Sequence, residues 1–177
     1  ERNTEKELSS DVLKNYDVLA LFHPCDPRWE KTVSNGTPQF NGGEIKAIQD
    51  FVSQGGGLLV ITEYEHEKYG DNLNELLKPF GLEIENTTVL DKQHCHHTNP
   101  AWVLAEASDQ SMAEPLGFQI KEVCFYQAGS CKATGGKSQV IWRSSEKSSP
   151  PKSGLMAVGE FGKGRVVLLT DSLLFGD

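Results

Sequence analysis

Hydrophobic residues in the first half of the chain follow two kinds of pattern. The segments YDVLALF (16–22) and LLVI (58–61) are nearly continuous apolar runs. Such runs are typical of strands that are buried on both faces. They predict two central strands, and Leu8, Val12 and Leu13 predict a short helix before the first of them.

Between and after these runs, apolar residues recur every three or four positions, which is the period of a helix with one buried face. Helices are therefore predicted at 43–54 and 72–80, with glycine after each end. Asn41 is a suitable N-cap for the first of them. The segment 23–41 contains three prolines and has little periodicity, so it is predicted to be a long loop.

The second half has shorter apolar segments separated by turn residues. The predicted strands after the second helix are 82–84, 88–90, 120–126, 138–142, 155–161 and 164–170. FGKGR (161–165) has the composition of a tight hairpin, and the polar segment 143–154 is predicted to be a solvated loop. The whole pattern predicts a mixed α/β fold, with a parallel sheet in the first half and antiparallel strands or hairpins in the second.

The composition limits the class of protein. The 177 residues fit one domain, and 17 basic against 25 acidic residues give a formal net charge of −8. Binding to nucleic acid or to an anionic membrane surface normally needs a basic face, so neither is expected. No segment approaches the roughly 18 apolar residues of a transmembrane helix, and we expect no membrane span.

Three segments carry a resemblance to a known superfamily. They are FNGGEIKAIQDFVSQGGGLLVITE (40–63), NLNELLKPFGLEIENTTVL (72–90) and GKGRVVLLTDSLLFGD (162–177). Together they resemble the class I glutamine amidotransferase-like superfamily, which has a flavodoxin-like sheet. The resemblance covers roughly residues 10 to 177. It is greatest to the GIFT domain of an intraflagellar-transport protein and to related uncharacterised bacterial domains.

This resemblance implies that residues 1–177 form one GIFT-like domain of a larger protein, without the first strand and the last helix of the superfamily. Catalytic members carry a cysteine nucleophile after the strand that corresponds to LLVI. Here that position reads TEYEHE (62–67). The resemblance therefore implies a non-catalytic binding or protein-interaction domain, whose partner is another protein or the rest of its own parent chain.

Polar residues follow the predicted parallel strands, where an open α/β sheet has its ligand crevice. The helix near Asn72 would direct backbone N–H groups towards the same crevice. The candidate ligand- or partner-binding residues are His23, Asp26, Glu63, Glu65, His66, Asn72 and Asp171. In the alternative interpretation, Glu63 only hydrogen-bonds a neighbouring loop, while Glu65, His66 and Glu67 are solvated.

Trp29 lies in the long loop with Asp26 and Arg28. An exposed tryptophan beside charged residues is suited to stacking on a sugar or to anchoring a protein partner. A small polar ligand or a carbohydrate is therefore a second kind of partner to consider. The alternative is that Trp29 covers the edge of the core.

QHCHHTNP (93–100) is the densest group of potential metal ligands. In an extended segment, His94 and His96 would point to one side and His97 to the other. Zinc could bind there with a further ligand from elsewhere, although no cofactor is the first expectation. The corresponding alternative function is a hydrolase that uses acidic and histidine side chains, with or without a divalent metal.

The four cysteines do not form a C-x-x-C pair. Cys25 and Cys95 each lie near histidines, but sequence proximity to an imidazole is weak evidence for a reactive thiolate. Cys124 and Cys131 flank FYQAGS, and a hairpin there would allow a disulfide between them. Whether they form one is left open.

Overall fold

The computed structural model describes residues 7–22, 39–108 and 120–175. The α-helices are α1 (Ser10–Leu13), α2 (Gly42–Gln54) and α3 (Leu73–Leu77). Short 3₁₀-helices cover His66–Tyr69, Lys78–Phe80, His96–Thr98 and Leu173–Phe175. The strands are β1 (Val18–Phe22), β2 (Gly57–Ile61), β3 (Leu82–Glu85), β4 (Trp102–Ala107), β5 (Glu122–Tyr126), β6 (Ser130–Ala133), β7 (Lys137–Arg143), β8 (Gly154–Phe161) and β9 (Gly164–Leu169).

The nine strands form one sheet, whose main path has the order β1-β2-β9-β8-β7-β4-β5. β1, β2 and β9 are parallel, whereas β8, β7, β4 and β5 add antiparallel pairs. β3 pairs with β6, and β6 joins the sheet through β8. The predicted mixed α/β fold is confirmed, including the hairpin between β8 and β9.

α2 forms where the sequence predicts it because its N-terminus has a complete capping box. The Asn41 side chain accepts hydrogen bonds from Gly43 N and Glu44 N, and Glu44 Oε2 accepts one from Asn41 N at 3.0 Å. The helix ends at Gly55, whose φ of 126° is unfavourable for other residues. Ile48 and Val52 are fully buried on the sheet-facing side.

The helix predicted at 72–80 is observed as α3 followed directly by the 3₁₀-helix Lys78–Phe80. Its predicted inward residues are all buried: Leu73, Leu76, Leu77 and Phe80. The chain then turns at Gly81, with φ of 69°. Among the described residues, no helix is long and apolar enough to cross a membrane.

The sheet separates two hydrophobic clusters. The first lies under the helices and includes Ile48, Val60 and Leu168. The second lies on the opposite face and includes Ile61, Phe125 and Leu169. Neighbouring residues of one strand contribute to opposite clusters because side chains alternate along a strand.

Several predicted elements differ from the observed ones. β1 lies at the end of the sheet path and is not buried on both faces; Val18 and Phe22 are 63% and 60% exposed. The segment 88–90 is not a strand and contributes only a bridge between Leu90 and Ser149. β4 and β6 were not predicted.

The polar segment 143–154 is not simply solvated. Ser144, Ser148 and Ser153 are buried, and they hydrogen-bond within the segment. For example, Ser153 N donates to Ser144 Oγ at 2.9 Å. These bonds satisfy polar groups that the sequence pattern assigned to water.

Candidate functional site

Glu63 and Asp171 occupy equivalent positions at the ends of two adjacent parallel strands. Each is the second residue after its strand, β2 or β9, and Thr62 N donates to Leu169 O at 2.9 Å between them. The Ser172 hydroxyl donates to Glu63 Oε1. The structure therefore brings together two of the residues that the sequence predicts for the crevice.

Burial raises the pKa of the Glu63 carboxyl, and the neighbouring Asp171 raises it further, although the Ser172 hydrogen bond acts in the opposite direction. Burial also raises the pKa of Asp171. Both oxygens of Asp171 are occupied, since Tyr126 N donates to Oδ2 at 2.6 Å and Leu173 N donates to Oδ1 at 2.8 Å. Asp171 therefore fixes β5 and the final 3₁₀-helix against the strand ends.

The segment after Glu63 presents a lysine between two tyrosines. Lys68 Nζ lies 3.5 Å from the centre of the Tyr64 ring and 5.0 Å from that of Tyr69. It is also 3.6 Å from Glu65 Oε2. We call Glu63, Tyr64, Glu65, Lys68, Tyr69, Asp171 and Ser172 the strand-end cluster.

Glu65 is exposed and has a left-handed backbone conformation, with φ of 48°. Its carboxylate accepts a hydrogen bond from Thr88 Oγ1 at 3.1 Å. Its backbone N donates to Thr87 O at 2.8 Å. These contacts hold the strand-end cluster against the loop after β3.

His66 does not behave as a solvated residue, contrary to the alternative interpretation of this segment. It is 4% exposed, and its Nδ1 lies 3.2 Å from Asp71 Oδ1. Asp71 Oδ1 also accepts a hydrogen bond from Leu73 N at 3.1 Å, at the start of α3. His66 Nε2 is buried and has no hydrogen-bond partner within residues 7–22, 39–108 and 120–175. His66 thus packs next to the start of α3.

Asn72 has a structural contact on both polar atoms of its side chain. Its Nδ2 donates to Phe40 O at 2.9 Å, and its Oδ1 accepts from Phe40 N at 2.8 Å. Asn72 therefore ties the start of α2 to the start of α3. The predicted residues His23, Asp26 and Trp29, together with Cys25, lie outside the described residues.

The histidine segment does not direct its rings to one point. His94 Nε2 lies 2.8 Å from Glu122 Oε1, while its Nδ1 lies 3.7 Å from Glu106 Oε1. The rings of His96 and His97 are 4.0 Å apart, and each lies 6.1 Å from that of Trp102. Within the described ranges, no three histidine, cysteine or acidic side chains are arranged to hold a metal ion.

Cys95, Cys124 and Cys131 are free thiols. Cys124 is on β5 and Cys131 on β6, and these strands do not pair, so the hairpin that would have allowed a disulfide does not form. Burial raises the pKa of both thiols. Protonated thiols are poor nucleophiles, which argues against a catalytic role for either residue.

Sequence reasoning did not identify Tyr64, Lys68, Tyr69 or the contact between Ser172 and Glu63. The serine was visible within TDS (170–172), but its partner is 109 positions away. The Tyr126 amide that donates to Asp171 is a backbone group, so no residue type in the sequence indicates this contact. The cation–π pair of Lys68 and Tyr64 is the contact with a local signal, since the two residues are four positions apart.

No protein-family model and no curated protein sequence matches the chain. Among solved structures, the mmIFT52 N-terminal domain superposes with a TM-score of 0.73 and 14% sequence identity, over 94% of this chain and 71% of that one. Two cytoplasmic proteins from Salmonella typhimurium, STM3548 and STM1381, superpose with TM-scores of 0.58 at 18% and 14% identity. The matches cover 94% and 93% of this chain and 64% of each of theirs.

At these identities the likeness concerns the fold alone. It agrees with the expected resemblance to a GIFT domain and to bacterial relatives. Membership of the glutamine amidotransferase-like superfamily stays a prediction.

Proposed function

We propose that this chain is a non-catalytic, GIFT-like binding domain of a larger protein, and that its strand-end cluster docks a protein partner or another part of the parent chain. The observation that carries the proposal is the contact of the Glu63 carboxyl with Ser172 at the end of β2. A cysteine nucleophile would follow this strand in a catalytic amidotransferase-like protein.

The contacts of the two carboxyl groups support binding rather than catalysis. Nucleophilic catalysis needs a nucleophile within hydrogen-bond reach of a general base. Both oxygens of Asp171 already accept backbone N–H groups, so this carboxylate is engaged in holding the fold. The Ser172 hydroxyl donates to Glu63, and no histidine in the described part of the chain hydrogen-bonds that hydroxyl.

The surface chemistry favours a partner segment that carries lysine or arginine. Glu65 and Glu67 are exposed beside Glu63, and the chain has a net charge of −8. Tyr64 already attracts one ammonium group, that of Lys68. Aromatic rings next to carboxylates are suited to guanidinium and ammonium groups, which bind carboxylates and stack on ring faces.

The binding test uses the 177-residue chain and immobilised peptides of equal length that are rich in Lys and Arg, in Ser, or in Glu. We expect binding to the basic peptides, and about a tenfold weaker affinity for the Glu65→Lys variant because it reverses one charge in the cluster. The matched control is Glu83→Lys, which makes the same charge change at an exposed position of β3. Equal losses in both variants would show that only the net charge matters, and absence of binding would remove the proposal.

A separate measurement tests whether the chain is a catalytic amidotransferase. Ammonia release from glutamine should not exceed that of a buffer blank. Release that disappears in a Cys25→Ser variant would show that the chain has retained a catalytic thiol. That result would overturn the non-catalytic assignment whatever the peptides show.

A further inference from the structure

A groove lies at the end of the sheet opposite to the strand-end cluster. Its volume is about 580 Å³, and three segments line it: 78–81 after α3, 134–137 between β6 and β7, and 160–162 at the β8–β9 hairpin. This volume is within the range of small-molecule sites, about 300–1,000 Å³. We call it the glycine groove, because Gly81, Gly135, Gly136 and Gly162 contribute to its walls.

The walls of the glycine groove are fixed to one another. Gly81 O accepts hydrogen bonds from Thr134 N at 2.8 Å and from Ser138 Oγ at 2.7 Å. The rings of Phe80 and Phe161 meet edge to face, with centroids 5.0 Å apart. Because each wall contacts another, the groove is preformed and a ligand would not have to order it.

The lining of the groove also offers hydrogen-bond donors and positive charge. Within the described residues, the backbone N–H groups of Gly135 and Gly136 have no hydrogen-bond acceptor, and a Cβ on either glycine would meet nothing within 4 Å. The Lys78 ammonium is exposed, and the ion pairs of the described residues give it no carboxylate partner.

Lys137 also lines the groove, but Glu160 Oε2 lies 3.4 Å from its Nζ and offsets part of its charge. Lys78, which has no ion-pair partner in the described part of the chain, and the two glycine N–H groups are therefore donors available to a ligand. Consecutive free backbone N–H groups in a turn, with a cation nearby, form an anion-binding arrangement.

Part of the groove lining is apolar. It consists of Pro79, the half-buried Phe161 and the buried Phe80. A site with an anion subsite and an adjacent ring surface suits a ligand that has both a negative group and a flat apolar body.

We propose that the glycine groove binds a small organic phosphate. The phosphate contacts the Lys78 ammonium and the N–H groups of Gly135 and Gly136, and the apolar body lies against Phe161 and Pro79. This site is separate from the strand-end cluster, so it does not depend on the proposed docking function.

Amide NMR of the isotope-labelled 177-residue chain tests the proposal with three probes: adenosine monophosphate, adenosine and inorganic phosphate. We expect saturable shifts of the Gly135, Gly136 and Lys137 amides with adenosine monophosphate, and weaker binding of the other two probes. Lys78→Ala should weaken the binding of adenosine monophosphate about tenfold, as expected for loss of one charge-assisted contact. Lys92→Ala removes an exposed lysine that does not line the groove and should leave the affinity unchanged.

Each other outcome overturns the proposal. Adenosine binding as tightly as adenosine monophosphate would exclude the anion subsite, and inorganic phosphate binding equally tightly would exclude the apolar one. No saturation of the glycine amide shifts at about 10 mM probe would exclude a site of useful affinity. The unfolding temperature of Lys78→Ala should match that of the unsubstituted chain, which separates a lost contact from a lost fold.

Discussion

At the scale of single residues, the carboxyl groups at the ends of β2 and β9 hold their protons more tightly in the folded chain than ordinary carboxyl groups do. Burial is the main cause for both Glu63 and Asp171, and their mutual repulsion adds to it at Glu63. A raised pKa in the folded state means that the group favours folding when it is protonated. This contribution is complete below the ordinary carboxyl pKa and is lost as the pH rises through the raised value.

Glu63→Gln tests this linkage because glutamine keeps an oxygen that can accept the Ser172 hydrogen bond but cannot ionise. We expect the unfolding temperature of the unsubstituted chain to fall relative to that of Glu63→Gln as the pH rises from about 4 to about 8. Thermal unfolding across this range provides the measurement. The exposed Glu83→Gln is the control and should show no such trend. A constant difference between the unsubstituted chain and Glu63→Gln would contradict the raised pKa.

At the scale of elements, those with complete local signals form where the sequence predicts them. α2 has its capping box and terminal glycines, and the β8–β9 hairpin has FGKGR. β6 has no such signal, since its sequence SCKA is short and contains no β-branched or aromatic residue. It becomes a strand through pairing with β3 and β8, which are distant in sequence. The segment 88–90 has only one pairing of this kind among the described residues, the bridge between Leu90 and Ser149, and is not a strand.

The candidate site likewise contains residues that the local sequence predicts and contacts that it does not. Glu63 and Asp171 could be predicted because they directly follow apolar runs that form parallel strands. The contacts of His66 with Asp71, and of Asn72 with Phe40, depend on how α2, α3 and the strand end pack together. The local sequence pattern does not indicate such packing.

The segment after residue 90 is anchored to another loop by Asp91, which is buried. Asp91 Oδ1 accepts hydrogen bonds from Gln93 N at 2.9 Å and His94 N at 2.8 Å, and Oδ2 accepts one from the Ser145 hydroxyl. Burial alone would raise the pKa of Asp91, but these hydrogen bonds lower it. The carboxylate therefore stabilises the fold above its ordinary pKa, and this stabilisation is lost as the pH falls through the lowered value.

Asp91→Ala should lower the free energy of unfolding by about 2–3 kcal/mol, because it removes a charged acceptor and leaves its donors unsatisfied. Ser145→Ala removes one of those donors and should cost about 1 kcal/mol. Urea unfolding at neutral pH measures both values. A loss for Asp91→Ala no larger than that for Ser145→Ala would show that the backbone N–H groups find other partners.

At the scale of the whole molecule, the two hydrophobic clusters share the same strands. On β9, Leu168 belongs to the cluster under the helices and Leu169 to the cluster on the opposite face. On β2, Val60 belongs to the cluster under the helices and Ile61 to the cluster on the opposite face. Neither cluster can lose its strands without exposing the other, so we expect the sheet and both clusters to unfold together.

Leu168→Ala and Phe125→Ala test this cooperativity from the two faces of the sheet. Each should lower the free energy of unfolding by about 2–5 kcal/mol, since both side chains are almost fully buried. Far-ultraviolet circular dichroism reports on the whole fold, while the fluorescence of Trp142, measured with Trp29 and Trp102 replaced by phenylalanine, reports on the second cluster. The two signals should have the same denaturation midpoint in both variants, and separate midpoints for Leu168→Ala would indicate two independent units.

The position of β9 between β2 and β8 also has a consequence for biosynthesis. Its residues, 164–169, are translated after the eight other described strands, yet they pair with residues 57–61 of β2. β9 cannot pair with β2 before it is synthesised, so one edge of β2 stays unpaired while about a hundred further residues are added. Chaperones that shield exposed strands during translation would therefore act on this chain until β9 leaves the ribosome.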